Sequence, residues 1–239
     1  MDFIDEPARR YHRQIILPNI GEEGQRRLGN SSVLVVGAGG LGSPCLSYLT
    51  AAGVGRIGVA DGDRVSLSNL QRQILYTTAD IGLGKAQVAC RRLKALNPNV
   101  TLTPFDGYLT PQNALQTARG FDLIIDATDN YAARLLIDRT SRRLGIPFLY
   151  ASVEGFTFQC TLLNAPGAPS YEELFGTPPQ EEGSPVGVLG AVAGMAGSLQ
   201  AVQAVQVLLG HPDTLAGKLL TADLSTCSFT LYTLPGARP

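Results

Sequence analysis

No Cys-x-x-Cys pair occurs in this chain of 239 residues. Its four cysteines, Cys45, Cys90, Cys160 and Cys227, stand far apart. Scattered thiols cannot form the short-spaced pairs of a structural zinc site, and they read as free, mostly buried side chains in a reducing compartment. Histidine is scarce as well. Only His12 and His211 are present, too few to complete a metal site with those cysteines. Excess charge is also missing, with 19 Lys and Arg against 20 Asp and Glu. That balance gives no reason to expect a nucleic-acid partner or an anionic membrane. The acidic start, Met1 to Pro7, lacks the apolar core of a signal peptide, so a cytoplasmic location is expected.

One long apolar run is present. Val186 to Leu209 is almost uncharged and long enough to cross a bilayer. Gln200, Gln203 and Gln206 recur within it at a three-residue step, and no basic flank precedes it. Polar groups inside a span are costly, so no membrane partner is expected. Gly190, Gly194 and Gly197 permit close helix approach. This suits a packed core and a dimer seam equally.

The elements alternate. Residues 7–29 suggest a helical lead-in within a segment running to residue 30. Ser32–Val36 is a buried strand by its β-branched run, and Leu41–Ala52 a helix with Gly53 as its C-cap. Arg56–Ala60 is the second strand, and Lys85–Leu96 an amphipathic helix stopped by Asn97-Pro98. Strands at Val100–Pro104, Phe121–Asp126 and Pro147–Ser152 alternate with helices at Pro111–Arg119 and Asn130–Leu144. Phe156–Leu163 continues as a strand. Residues 165–185 form a loop rich in Pro, Gly, Ser and Glu, expected to cover the active site. A long helix over 186–210 and a hairpin of Lys218–Ala222 and Ser228–Leu234 close the chain. The expected fold is one α/β domain over residues 1–239, with a Rossmann-like doubly wound, mostly parallel sheet and a C-terminal β elaboration.

The first strand runs into Gly37-x-Gly39-x-x-Gly42. Glycines there let the backbone approach phosphate oxygens, with Gly40 and Leu41 leading into the helix. Asp61 ends the next strand, where a carboxylate binds ribose hydroxyls. Asp63 suits a metal or a turn cap equally. Then come Asn69, Arg72, Gln73 and Lys85. Two cations and amide donors suit a triphosphate better than a dinucleotide. Lys85 opens a helix whose dipole already supplies positive charge, so a structural lysine is poorly placed there and a bound polyphosphate would compensate. Asp126-Ala-Thr-Asp129-Asn130 follows a buried strand, at the end of the sheet where ligands bind. Asp126 could cap the next helix. Asp129 is the better candidate to face the site and hold Mg²⁺.

The runs Arg10-Tyr-His-Arg-Gln-Ile-Ile-Leu17, Gly37 to Ser43, Ala52-Gly-Val-Gly55, Asp61-x-Asp63, Ser66-Leu-Ser-Asn-Leu-Gln-Arg-Gln73, Lys85, Asp126-x-Thr-Asp-Asn130 and Gly197-Ser-Leu-Gln-Ala201 together resemble the MoeB/ThiF family, bacterial relatives of ubiquitin-activating enzymes. The resemblance covers residues 9–233. It implies an adenylyltransferase that uses ATP and Mg²⁺ on a ubiquitin-like sulfur carrier ending in Gly-Gly, working as a homodimer. It also implies roles for single residues. Gly39 to Leu41 would line the nucleotide and Asp61 hold the ribose. Asn69, Arg72 and Lys85 would bind phosphates, and Asp129 the metal. Arg13 would reach the partner subunit's ATP.

The departures are specific. Family members commonly carry two zinc-binding Cys-x-x-Cys pairs. The first would fall near Ser170 to Glu173, and the second after the last strand, where this sequence stops at Pro239. Neither is present, so no zinc is expected. The family's loop cysteine, near Gly183-Ser184, is absent too. Cys160 and Cys227 fall in expected strands and read as core thiols. Two rival functions remain. A nicotinamide dehydrogenase would leave Asn69, Arg72 and Lys85 unexplained. A non-catalytic carrier-binding protein would leave the intact phosphate-site residues unexplained.

Overall fold

The computed structural model describes residues 9–176 and 187–234. Strand β1 (Ser32–Val36) is buried along its whole length, as a strand covered on both faces must be. It pairs in parallel with β2 (Arg56–Ala60) on one side and β4 (Leu123–Asp126) on the other. Beyond them β2 pairs with β3 (Thr101–Phe105) and β4 with β5 (Phe148–Glu154), again in parallel. From β5 the sheet turns antiparallel through β6 (Thr157–Leu163), β7 (Lys218–Asp223) and β8 (Ser228–Thr233). The order β3-β2-β1-β4-β5-β6-β7-β8 reverses direction between β1 and β4. That switch point is where doubly wound sheets open a crevice for ligands.

Helices cover both faces. On one side, α3 (Gly42–Ala52), α4 (Lys85–Leu96) and α8 (Gly190–Leu209) pack over Val33, Val35, Ile57, Leu123, Ile125 and Leu149. On the other, α5 (Ala114–Ala118), α6 (Tyr131–Leu144) and α7 (Tyr171–Phe175) cover Leu34, Ile124, Phe148 and Tyr150. The long apolar α8 meets the length and hydropathy of a membrane span, yet half of it is buried within the fold. Gln200 accounts for its polar face. Its side-chain amide donates to the Asp126 carbonyl at 2.6 Å.

Several expectations change in detail. The lead-in is two helices, α1 (His12–Ile15) and α2 (Gly21–Asn30), and Gly21 opens the second instead of ending the first. The helix expected over Pro111–Arg119 shortens to α5, whose entry is fixed by Asn113, whose side-chain oxygen reaches back to accept from Thr110 N at 2.8 Å. Part of the expected 165–185 loop is helical. Ser170 and Glu173 form a reciprocal capping box that starts α7, and Tyr171 and Phe175 pack their rings on Tyr150 at 5.3 and 5.1 Å. Residues 177–186 of that loop, including Gly183-Ser184, lie outside the described residues. Cys45, Cys90 and Cys160 are buried, but Cys227 is exposed. It sits at φ +54° in the turn before β8, so it is not a core thiol.

Candidate active site

The glycine turn leaves β1 at its carboxyl end. Gly37 has φ +97°, and a Cβ there would come within 2.5 Å of the Ala127 carbonyl oxygen, so only glycine fits against the loop after β4. Gly42 starts α3 with its Cα against the Gly37 carbonyl, which leaves no room for a side chain either. Leu41, the residue before that helix, is buried. The turn is held from two directions. The Asp61 carboxylate accepts from Ala38 N at 2.8 Å, and the buried Tyr76 hydroxyl donates to the Ala38 carbonyl at 2.8 Å.

Asp61 directly follows β2 and also accepts from Asp63 N at 2.8 Å. Burial raises its pKa, partly opposed by those two backbone donors and by the charge of Lys85. Next in the chain, Asn69 closes a 3-10 turn, Leu67–Asn69, by accepting from Ser66 N at 3.2 Å. That turn aims the following residues at the glycines. A Cβ on Gly40 would lie 3.4 Å from Arg72 Cγ, and one on Gly39 would lie 3.4 Å from the Gln73 amide nitrogen. Arg72 also donates to the Ser68 carbonyl at 3.0 Å. Gln73 is buried, and its amide oxygen has no hydrogen-bond partner.

Lys85 is the first residue of α4 and only 4% exposed. Its ammonium meets Asp63 at 2.8 Å. Burial disfavours ionised Asp63, but hydrogen bonds from Lys85 and Tyr108, with the Lys85 charge, outweigh it and hold its carboxyl below the usual range. A buried cation at a helix N-terminus with a half-exposed carboxylate as counter-ion is a site prepared for anions.

Asp129 lies exposed in the loop after β4. It follows β4 by three residues, at the carboxyl end of the parallel strands. Among the described residues, no group of three or more His, Cys, Asp or Glu is gathered to hold a metal alone. Mg²⁺ usually takes one or two carboxylates and completes its shell with water and substrate phosphates, and Asp129 fits that pattern. Asn130 caps α6, its amide oxygen accepting from Ala133 N at 2.8 Å. The cap is therefore Asn130 rather than Asp126. Asp126 instead accepts from Thr128 N and Oγ1 at 2.9 and 2.6 Å and faces the buried Arg134 at 3.6 Å.

Arg13 is exposed on α1, away from these groups. That helix is fastened at the other end of α3. Gln14 and Gln25 both donate to the Ala52 carbonyl, at 3.1 and 2.9 Å, and the Tyr11 hydroxyl accepts from Asn97 at 2.8 Å. An 11-residue helix is about 16 Å long, so α3 separates Arg13 from the glycine turn of its own chain.

Three residues at the site were not anticipated. Tyr76 and Arg134 carry no local motif, because their roles depend on contacts made across the sheet. Tyr108 follows β3, and its place at the carboxyl end of a parallel strand is the signal that could have found it.

The ThiF family model matches residues 11–238. The chain belongs to the ThiF family. It is 46% identical over 98% of its length to the sulfur carrier protein adenylyltransferase of Thermus thermophilus, of which it spans 90%. It is 41% identical over 95% of its length to the probable molybdopterin-synthase adenylyltransferase of Porphyra purpurea, spanning 61% of that relative. In fold it matches E. coli MccB, crystallised with MccA-N7isoASN, at a TM-score of 0.85 and 18% identity, over the whole chain and 74% of MccB. At that identity the likeness concerns the fold alone.

Proposed function

We propose that this chain adenylates the C-terminal glycine of a ubiquitin-like sulfur carrier ending in Gly-Gly, consuming ATP and releasing pyrophosphate. The observation that carries the reading is Lys85, a buried ammonium at a helix N-terminus beside a glycine turn over which Arg72 and Gln73 are seated. A dinucleotide oxidoreductase has no use for that concentration of phosphate-binding groups.

The reaction asks little covalent chemistry of the protein. A carboxylate oxygen of the carrier attacks the α-phosphorus. The new O–P bond forms as the bond from the α-phosphorus to the bridging oxygen breaks, and pyrophosphate leaves with that electron pair. The nucleophile is already ionised, so no general base is needed. The barrier is chiefly charge gathering on the transferring phosphoryl group and on pyrophosphate. In this reading the glycine turn presents backbone N–H groups to the phosphates and Asp61 orients the ribose. Asn69, Arg72 and Lys85 offset the developing charge. Mg²⁺ at Asp129 would screen the phosphate oxygens.

The fold supports a shared site. Arg13 lies behind α3 in its own chain, and Tyr48, Met195 and Val202 expose apolar surface on the adjoining α3 and α8. A second copy packed on that face would cover it and bring its own Arg13 to the phosphates, so a homodimer is the proposed working form. The 165–185 loop is proposed to cover the carrier tail. Gly187, beyond that loop, lies beside the carboxyl end of β5, its carbonyl accepting from Gly155 N at 2.8 Å. Free thiols and the balanced charge agree with a cytoplasmic setting.

Exchange of labelled pyrophosphate into ATP tests the reading. Exchange should appear when a carrier ending in Gly-Gly is added and be absent without it. NADH binding in place of carrier-dependent exchange would refute it.

A further inference from the structure

Tyr108 is a large aromatic residue with 65% of its surface exposed, yet it is held in one position. Its hydroxyl donates to the Asp63 carboxylate. Its carbonyl accepts from Asn113 Nδ2 at 3.0 Å, and Asn113 in turn fixes Thr110 N at 2.8 Å. The ring lies against the backbone of Gly62. A Cβ at Gly62 would sit 2.9 Å from Cγ and Cδ2 of Tyr108 and 2.8 Å from its backbone nitrogen. Gly62 immediately follows Asp61, the carboxylate that pins the glycine turn. A rigid ring with solvent on it, one residue from a ribose-binding position, has the form of a stacking platform.

We propose that Tyr108 is a specificity-determining residue of the nucleotide site, on whose ring the purine base stacks. The inference rests on the nucleotide reading above and goes beyond it. Asp61 would set the ribose, the glycine turn would draw the phosphates toward Arg72 and Lys85, and the base would extend the other way, past Gly62 to the loop after β3. The hydroxyl bond to Asp63 fixes the ring plane before ligand arrives, so little side-chain freedom is lost on binding.

The test separates base binding from phosphate binding. Aromatic–base stacking removed by truncation corresponds to roughly a tenfold loss of affinity. Tyr108→Leu should therefore raise KM for ATP by about that factor, while inhibition by inorganic tripolyphosphate, which has no base, stays at the wild-type level. Tyr108→Phe, which keeps the ring, should recover most of the loss. Lys85→Ala should weaken both ligands. Equal weakening of ATP and tripolyphosphate in Tyr108→Leu would overturn the proposal, because the residue would then act through Asp63 and Lys85. An unchanged KM for ATP would overturn it as well. If the wild type binds ATP in this pattern yet never adenylates a carrier, the platform stands and the proposed reaction fails.

Discussion

Lys85 and Asp63 form a half-buried pair, and a bound triphosphate would compete for the lysine. Lys85→Ala should lose adenylation while keeping its fold, and Arg72→Ala likewise. A charge-assisted contact to phosphate is worth about 1.5–3 kcal/mol, so the expected loss in kcat/KM is roughly ten- to a hundredfold for each. Carrier-adenylate formation at the wild-type rate in either variant, with an unaltered melting curve, would remove that residue from the site. Asp129→Asn should raise the Mg²⁺ concentration needed for half-maximal rate. An unchanged Mg²⁺ dependence would move the metal to another carboxylate, with Asp63 next. At this scale the sequence was most legible where function writes a local motif. The glycines and Asp61 follow β1 and β2, Arg72 lies in the turn after Leu67–Asn69, and Lys85 starts α4, all at the carboxyl ends of the parallel strands. Tyr76, Tyr108 and Arg134 were not legible. Tyr76 serves the glycine turn from 38 residues away, and no spacing rule announces such a contact.

The α6 helix shows what an element contributes. Its N-terminus is capped by Asn130, and one turn later Arg134 reaches back to Asp126 and donates to the Thr128 carbonyl at 3.3 Å. The guanidinium lies over the rings of Tyr131 and Tyr150, at 5.5 and 5.4 Å from their centroids. The loop that carries Asp129 is thus gripped at both ends. Burial raises the pKa of Asp126 to about 6, with Arg134 and Thr128 opposing it only in part. The folded chain therefore holds a proton on Asp126 between about pH 4 and 6, where the unfolded chain has lost it. Its contribution to stability is full below about pH 4 and declines as pH rises to 6. Arg134→Ala should cost about 3–5 kcal/mol at pH 7, where it leaves a buried carboxylate unpaired. The loss in chemical denaturation should shrink at pH 5, where Asp126 is protonated. An equal loss at both pH values would show that packing, not charge, is what Arg134 supplies. Strand and helix bounds followed closely from apolar periodicity and caps. The exceptions were elements under three turns. The α7 helix rests on one capping box and the packing of Tyr171 and Phe175, and its apolar pattern is too short to show a period.

For the whole molecule, the switch between β1 and β4 and the antiparallel turn after β5 divide the labour. The parallel half carries the glycine turn, Arg72 and Lys85 at its carboxyl ends, and the antiparallel half extends the sheet beyond β5. Topology of this kind was legible from the alternation of strands and helices, but the arrangement of copies was not, since an exposed apolar face does not name its partner. Mixing Arg13→Ala with Lys85→Ala protein should restore activity if sites are shared across a two-fold axis, because one site in each heterodimer keeps both residues. No recovery after verified subunit exchange would place each site within a single chain. Among the described residues the four cysteines, three buried and one exposed, are not gathered with other metal-ligating groups, and burial pushes Cys160 up to about 12 and Cys90 to about 11. A chelator should accordingly leave the melting temperature unchanged, and stoichiometric zinc on elemental analysis would contradict this. Acyl-adenylate formation is read by mass spectrometry of a Gly-Gly carrier incubated with ATP, Mg²⁺ and this chain. The carrier should become heavier by one adenylyl group at its C-terminus, and far more slowly with Lys85→Ala. A carrier of unchanged mass, under conditions where the protein is folded and binds ATP, would contradict it.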